Sequence, residues 1–285
     1  MYWSVRREIW ENRSIYLVPL IVAAFVLFGS LFGLIGLARK IQSLPAYNSA
    51  TQHTMVVRPL SLVPAPIMFI TFLVGIFYAL DALHGERRDR SILFWKSLPV
   101  SDRITVLSKA TIPLIVLPLI GLALGMLAQF FLLMFSHAAL LAHGMSPAPL
   151  WSEYRFVQEP LVMIYGMAVH VLWFAPIYCW LLLISAWAKR TPLLWAAVPP
   201  LVVMMLEKMV FQTTYFASLL RYRAIGAMLE AFVRSPAERG SGILDQLTQL
   251  DPVRFLTAPG LWLGLMFAAA CLVAAVRLRR NREPI

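Results

Sequence analysis

The residues whose types and spacing could do work are those of Gly85-Glu-Arg-Arg-Asp-Arg-Ser-Ile-Leu-Phe-Trp-Lys-Ser-Leu-Pro99. Glu86, Arg87, Arg88, Asp89 and Arg90 form a dense charge run. Ser91 leads into an apolar island of Ile92, Leu93, Phe94 and Trp95, closed by Lys96, Ser97 and Leu98. The chemistry on offer is recognition rather than bond-making. An apolar wedge ringed by ions can lie on a membrane with Trp95 at headgroup level. It can also fill a cleft on a partner, with the flanking charges fixing register. No phosphate-binding Gly-x-x-x-x-Gly-Lys-Ser/Thr loop occurs, so the chain lacks a nucleotide-hydrolysing motor of this type.

The elements that must position this segment are hydrophobic. The 285 residues are 60% hydrophobic and carry a formal net charge of +11, with a mean hydropathy of +0.74. Ordinary soluble domains are less apolar, and the clustering of charges leaves uncharged runs long enough to cross a bilayer. Six spans are predicted, at about 15–37, 60–80, 110–135, 161–188, 192–211 and 259–276, within one transmembrane domain. The first run has no small-residue cleavage site after it and reads as a retained span. Cys179 and Cys271 fall inside apolar runs and read as small filler.

Basic residues set the orientation. Residues 1–14, 81–109, 189–191 and the tail from Arg277 hold most of the Lys and Arg, which predicts cytoplasmic N- and C-termini. Arg39 and Lys40 run against that rule. The excess of positive charge is thereby explained without nucleic acid. The predicted fold is an all-α polytopic membrane protein with an interfacial helix at the N-terminus, where Trp3 and Trp10 align seven residues apart but Arg6 and Arg7 flank them, so that no clean amphipathic face results. Arginine stems can snorkel beside such aromatic anchors. Pro99 ends a short helix in the loop, and Ser101-Asp102 caps a new one running into the third span.

Six spans, the Trp/Arg N-terminal segment and the loop from Tyr78 to Asp102, YALDALHGERRDRSILFWKSLPVSD, resemble the permease subunits of ABC-2-type transporters. The resemblance covers the architecture of the whole chain but the motif only over about residues 78–109. It implies that residues 91–99 form a cytoplasmic coupling helix that contacts a separate ATPase. It also implies that residues 1–14 form an elbow helix on the inner leaflet. Two permeases, a homodimer in the simplest case, would join two ATPases in a bacterial inner membrane. ATP and Mg would sit on the ATPase, with no cofactor in this chain. Export of a lipid, drug-like or peptide substrate follows by analogy. The alternatives are a membrane enzyme or an assembly scaffold without an ATPase.

Beyond the fifth span, residues 212–258 form a large outer loop. Tyr222, Ile225, Leu229, Phe232 and Val233 make an apolar stripe at helical spacing, which predicts an amphipathic helix. Arg223, Glu230 and Arg234 fall on the other face, and Ile243–Leu250 suggests a second short helix. Glu207 and Lys208 read as a snorkelling pair at the outer end of the fifth span, or else as charges lining a pathway. The histidines His137, His143 and His170 lack accompanying acids or cysteines, so a metal site is not expected.

Overall fold

The computed structural model describes residues 1–43, 49–89, 101–232 and 247–281. Among these residues the regular structure is helical, apart from one isolated bridge between Phe232 and Leu250. Six helices are long and apolar enough to cross a membrane: Ser14–Gly36, Met55–Arg88, Asp102–Ala142, Gln158–Trp187, Pro192–Phe211 and Pro259–Asn281. This fits a multi-pass membrane protein. The expected coupling helix at 91–99 lies outside the described residues, as does the first half of Ile243–Leu250, whose second half includes a 3-10 turn at Leu247–Gln249.

The second, third and sixth of these helices overrun the uncharged runs that announced them. The third spans 41 residues, roughly 60 Å at 1.5 Å per residue, about twice a hydrocarbon core. The helix is therefore long enough to carry its polar ends beyond the hydrocarbon. Ser101 starts it as expected, its hydroxyl accepting from the Ile104 amide at 3.4 Å.

The fourth span runs through the middle of the bundle. It packs along the sixth over much of its length, and also against the second and third. Its buried side chains include Trp173, Tyr178 and Leu182. The fifth span is peripheral, with only Ala196 buried in its helix Pro192–Leu206. Spans four and five are joined by a tight turn in which Thr191 adopts a left-handed φ of 45° and Pro192 opens the next helix.

Proline in the spans frees carbonyls, and neighbouring side chains recover some of them. Pro64 cannot donate to the Leu60 carbonyl, and Gln129 of the third span does so at 3.2 Å. Pro200 leaves the Ala196 carbonyl open, and the Trp180 indole of the fourth span donates to it at 3.3 Å. Each donor ties two spans together.

Candidate functional site: a buried ion network at one end of the bundle

The N-terminal helix, Tyr2–Glu11, is separated from the first span by a break at Asn12 and Arg13. Its sequence places aromatic and cationic residues on one side and Glu8 on the other. Trp3 and Trp10 are exposed, and the Arg6 guanidinium lies over both rings, 5.5 and 4.5 Å from their centroids. An arginine packed on two indoles suits a membrane–water interface, where the rings are half-solvated.

Glu8 faces inward and is completely buried. Lys109, near the start of the third span, donates to both of its carboxylate oxygens at 2.9 and 3.0 Å. The Tyr78 hydroxyl, from the second span, donates to Glu8 Oε2 at 2.7 Å. Arg7 donates to Glu8 Oε1 at 2.9 Å and reaches Glu11 at 3.5 Å. Lys109 also lies 3.1 Å from Glu86. Glu86 binds Arg279, from the end of the sixth span, which turns its Nε to Asp102 at 3.1 Å. Three acids (Glu8, Glu86, Asp102) thus interleave with three cations (Arg7, Lys109, Arg279). Lys109 and Arg279 are only 3 and 4% exposed.

Burial works against ionisation of Glu8 and pushes its carboxyl up. The Lys109 charge and the hydrogen bonds from Tyr78, Lys109 and Arg7 outweigh that, so its pKa lies below the ordinary 4.5. Glu11 differs: its partial burial dominates and raises its carboxyl despite Arg7.

The neighbouring turn is anchored to the fourth span. Ser185 accepts from the backbone amides of Leu83 and His84 at 3.0 and 2.9 Å. Arg87 donates to the Ala186 and Ala188 carbonyls. These are orphan acceptors at a helix C-terminus, where a cation also complements the macrodipole.

The expected site residues therefore separate into groups. Glu86 and Arg87, expected at a partner surface, are turned into the chain's own bundle. Their partners, the Lys109 and Arg279 charges for Glu86 and the end of the fourth span for Arg87, were not visible from a local charge run. Arg88 and Asp89 are exposed and pair with each other at 3.0 Å. Arg90, Ser91, Ile92, Leu93, Phe94, Trp95, Lys96, Ser97 and Leu98 lie outside the described residues. Asp89 and Glu86 also line a polar cleft of about 230 Å³ with Glu8, Glu11, Asp81 and Lys109. Glu8, Lys109 and Arg279 were not singled out as site residues. No local signal marked them: Glu8 has Ser4, Glu11 and Asn12 as helical neighbours, and Lys109 and Arg279 read as charges flanking a span.

At the opposite end, Glu207 accepts from Thr213 Oγ1 at 2.9 Å and from the amides of Tyr215 and Phe216 at 2.6 and 2.8 Å. It is thus the cap of the helix Tyr215–Ala231 rather than a snorkelling partner of Lys208. That helix buries the predicted stripe only in part: Phe232, just past its end, is buried and Tyr222 packs against Trp173, while Val233 lies outside the described residues. Ile225 and Leu229 are exposed, while Gly226, Ala227 and Ala231 are buried. Its Arg223 enters the bundle, donating to the Trp173 and Gly260 carbonyls at 3.0 and 2.7 Å. The guanidinium also lies 4.6 Å from the Trp173 ring centroid. Trp173 donates back to the Arg223 carbonyl at 2.8 Å.

No group of three or more His, Cys, Asp or Glu that could hold a metal occurs among the described residues. What the network can do is mechanical. It locks the N-terminal helix, the turn after span two, the start of span three and the end of span six into one ionic unit. No protein-family model matches the chain, and no curated protein or solved structure was found to be similar to it.

Proposed function

We propose that this chain is the membrane subunit of an ATP-driven transporter of the ABC-2 type, moved by a separate ATPase that docks on residues 91–99. The observation that carries the reading is the ion network. It holds both anchors of the segment 90–100, through Glu86 before it and Asp102 and Lys109 after it. A push on that segment would reach the N-terminal helix and the third and sixth spans together. A loop that only lay on lipid would have no need of such bracing.

The rest of the reading follows from this one. The network end, which carries the N-terminal helix, the end of the sixth span and most of the Arg and Lys among the described residues, faces the cytoplasm. The N-terminal helix lies along the inner leaflet of a bacterial inner membrane, with Trp3, Arg6 and Trp10 at the headgroups. Two ATPases with ATP and Mg, and a second copy of this chain, complete the machine. Export of a lipid, drug-like or amphipathic peptide substrate suits an interior with few charges. The test is co-purification with the ATPase expressed from the neighbouring reading frame. Trp95→Ala and Leu93→Asp are expected to insert normally but to lose the ATPase and its substrate-stimulated turnover. Full retention of both by both variants would overturn the docking role.

A further inference from the structure

A groove of about 730 Å³ lies between the start of the third span and the end of the sixth. Its lining divides by chemistry. Leu107, Leu272, Val273 and Val276 form an apolar part, and Arg103, Arg277 and Arg280 a basic part. Leu107 and Val273 are 44 and 53% exposed, so the apolar part is open to whatever surrounds the bundle. Arg279 also lines the groove, but it is already committed to Glu86 and Asp102. That pairing neutralises Asp102, the one acid of the lining. Arg103, Arg277 and Arg280 are exposed and make no ion pair with any described residue.

We infer that this groove binds an anionic phospholipid, its phosphate held by Arg103, Arg277 and Arg280 and an acyl chain lying along Leu107, Leu272, Val273 and Val276. The argument is one of complementarity in two parts. A lipid bears a negative headgroup joined to a hydrocarbon tail, and the groove offers cations next to aliphatic side chains in the same order. Basic pockets between spans are favourable places for acidic headgroups. Guanidinium groups suit phosphate because their planar forks donate two parallel hydrogen bonds. A zwitterionic lipid would leave the three positive charges only partly compensated. A protein segment would need both an acidic and an apolar part to do as well. The inference stands apart from the transporter reading, because it needs no ATPase.

The full-length chain, purified in a mild neutral detergent, is titrated with phosphatidylglycerol or phosphatidylcholine, and bound lipid is counted by native mass spectrometry. Wild type is expected to hold phosphatidylglycerol up to about a hundredfold more tightly at low salt, from three cations near one headgroup. The triple variant Arg103→Gln, Arg277→Gln, Arg280→Gln should lose that preference, and the Lys triple variant should keep most of it. Val273→Trp, which fills the apolar part without altering charge, should weaken both lipids. The control Lys189→Gln, Arg190→Gln removes two exposed cations outside the groove and should change nothing. A melting curve in phosphatidylcholine shows that the triple variant is folded. Equal binding of both lipids by wild type would overturn the inference. So would a preference that survives the folded Gln triple variant, or a Gln triple variant that changes only oligomeric mass, which would make the groove a protein interface.

Discussion

Glu8 and Arg223 are both charged groups drawn into the helical bundle from segments outside the six spans, and their surroundings differ in kind. Glu8 is met by Lys109, Arg7 and the Tyr78 hydroxyl. Arg223 is met by two backbone carbonyls and an indole face. A helical protein has few spare backbone donors, since amides past the first turn are already bonded within the helix. A buried carboxylate must therefore recruit side-chain donors, and those are cations that bring acids of their own. Carbonyls have a second lone pair and can accept a guanidinium without breaking the helix. An acid in the interior thus builds a network, whereas an arginine can be housed with no counter-charge. One end of this molecule is consequently coupled through ions over four segments, and the other is held without a counter-charge, by Arg223 and Trp173 together with the Glu207 cap.

The largest expected effect comes from removing a cation at the coupled end. Lys109→Met leaves Glu8 and Glu86 close together with their main positive charge gone. Loss of one partner from a buried ion cluster costs about 3–5 kcal/mol, read as a fall in thermal midpoint in detergent. Glu8→Gln in the Lys109→Met background should recover part of it. Strict additivity of the two changes would contradict a shared network.

At the other end a smaller loss is expected from Gly264→Ala. A Cβ there would fall 2.1 Å from Arg223 Nη2, so the guanidinium must leave its carbonyls. Overpacking of this kind costs about 1–3 kcal/mol. Early proteolysis within 212–258 would report release of the helix Tyr215–Ala231 before global unfolding. Identical cleavage rates in wild type and variant would mean that Arg223 does not hold it.

The smallest effect is that of acid. The Glu8 carboxyl titrates below 4.5 in the folded protein and near 4.5 when unfolded. Its contribution is therefore full above about pH 4.5 and is lost as pH falls through the lower, folded value. The raised carboxyl of Glu11 acts in the opposite sense. The acid limb of a melting-temperature profile should accordingly be shallower in Glu8→Gln than in wild type. Equal slopes would exclude Glu8 as the titrating group.

The six long helices were legible because lipid imposes one strong constraint on sequence, a long uncharged run. Arg6 with Trp3 and Trp10 was legible in part, since residues three, four and seven apart share a helical face. The ion network was not. Lys109 lies 101 positions from Glu8, and Arg279 lies 193 from Glu86. Charges flanking a span look the same in sequence whether they meet water or each other. The helix Tyr215–Ala231 misled for a different reason. Large apolar residues mark a buried face where their own side chains fill the contact, but here small residues leave room for the bundle's side chains, a Cβ at Gly226 falling 2.7 Å from the Trp173 ring. Ala227 and Ala231 pack inward while Ile225 and Leu229 point away.

The third span contains a π-helical turn at Ile112–Val116, between Lys109 and the long helix from Leu117. Such a turn holds one residue more than regular winding needs. Winding the same residues as regular α-helix, with none removed, would rotate everything upstream by roughly a quarter of a turn around the axis. Lys109 would then be carried off the face that meets Glu8, while the membrane-crossing part below kept its packing. The extra residue acts as a phase adjuster, letting one continuous rod satisfy two surroundings whose angular demands do not agree.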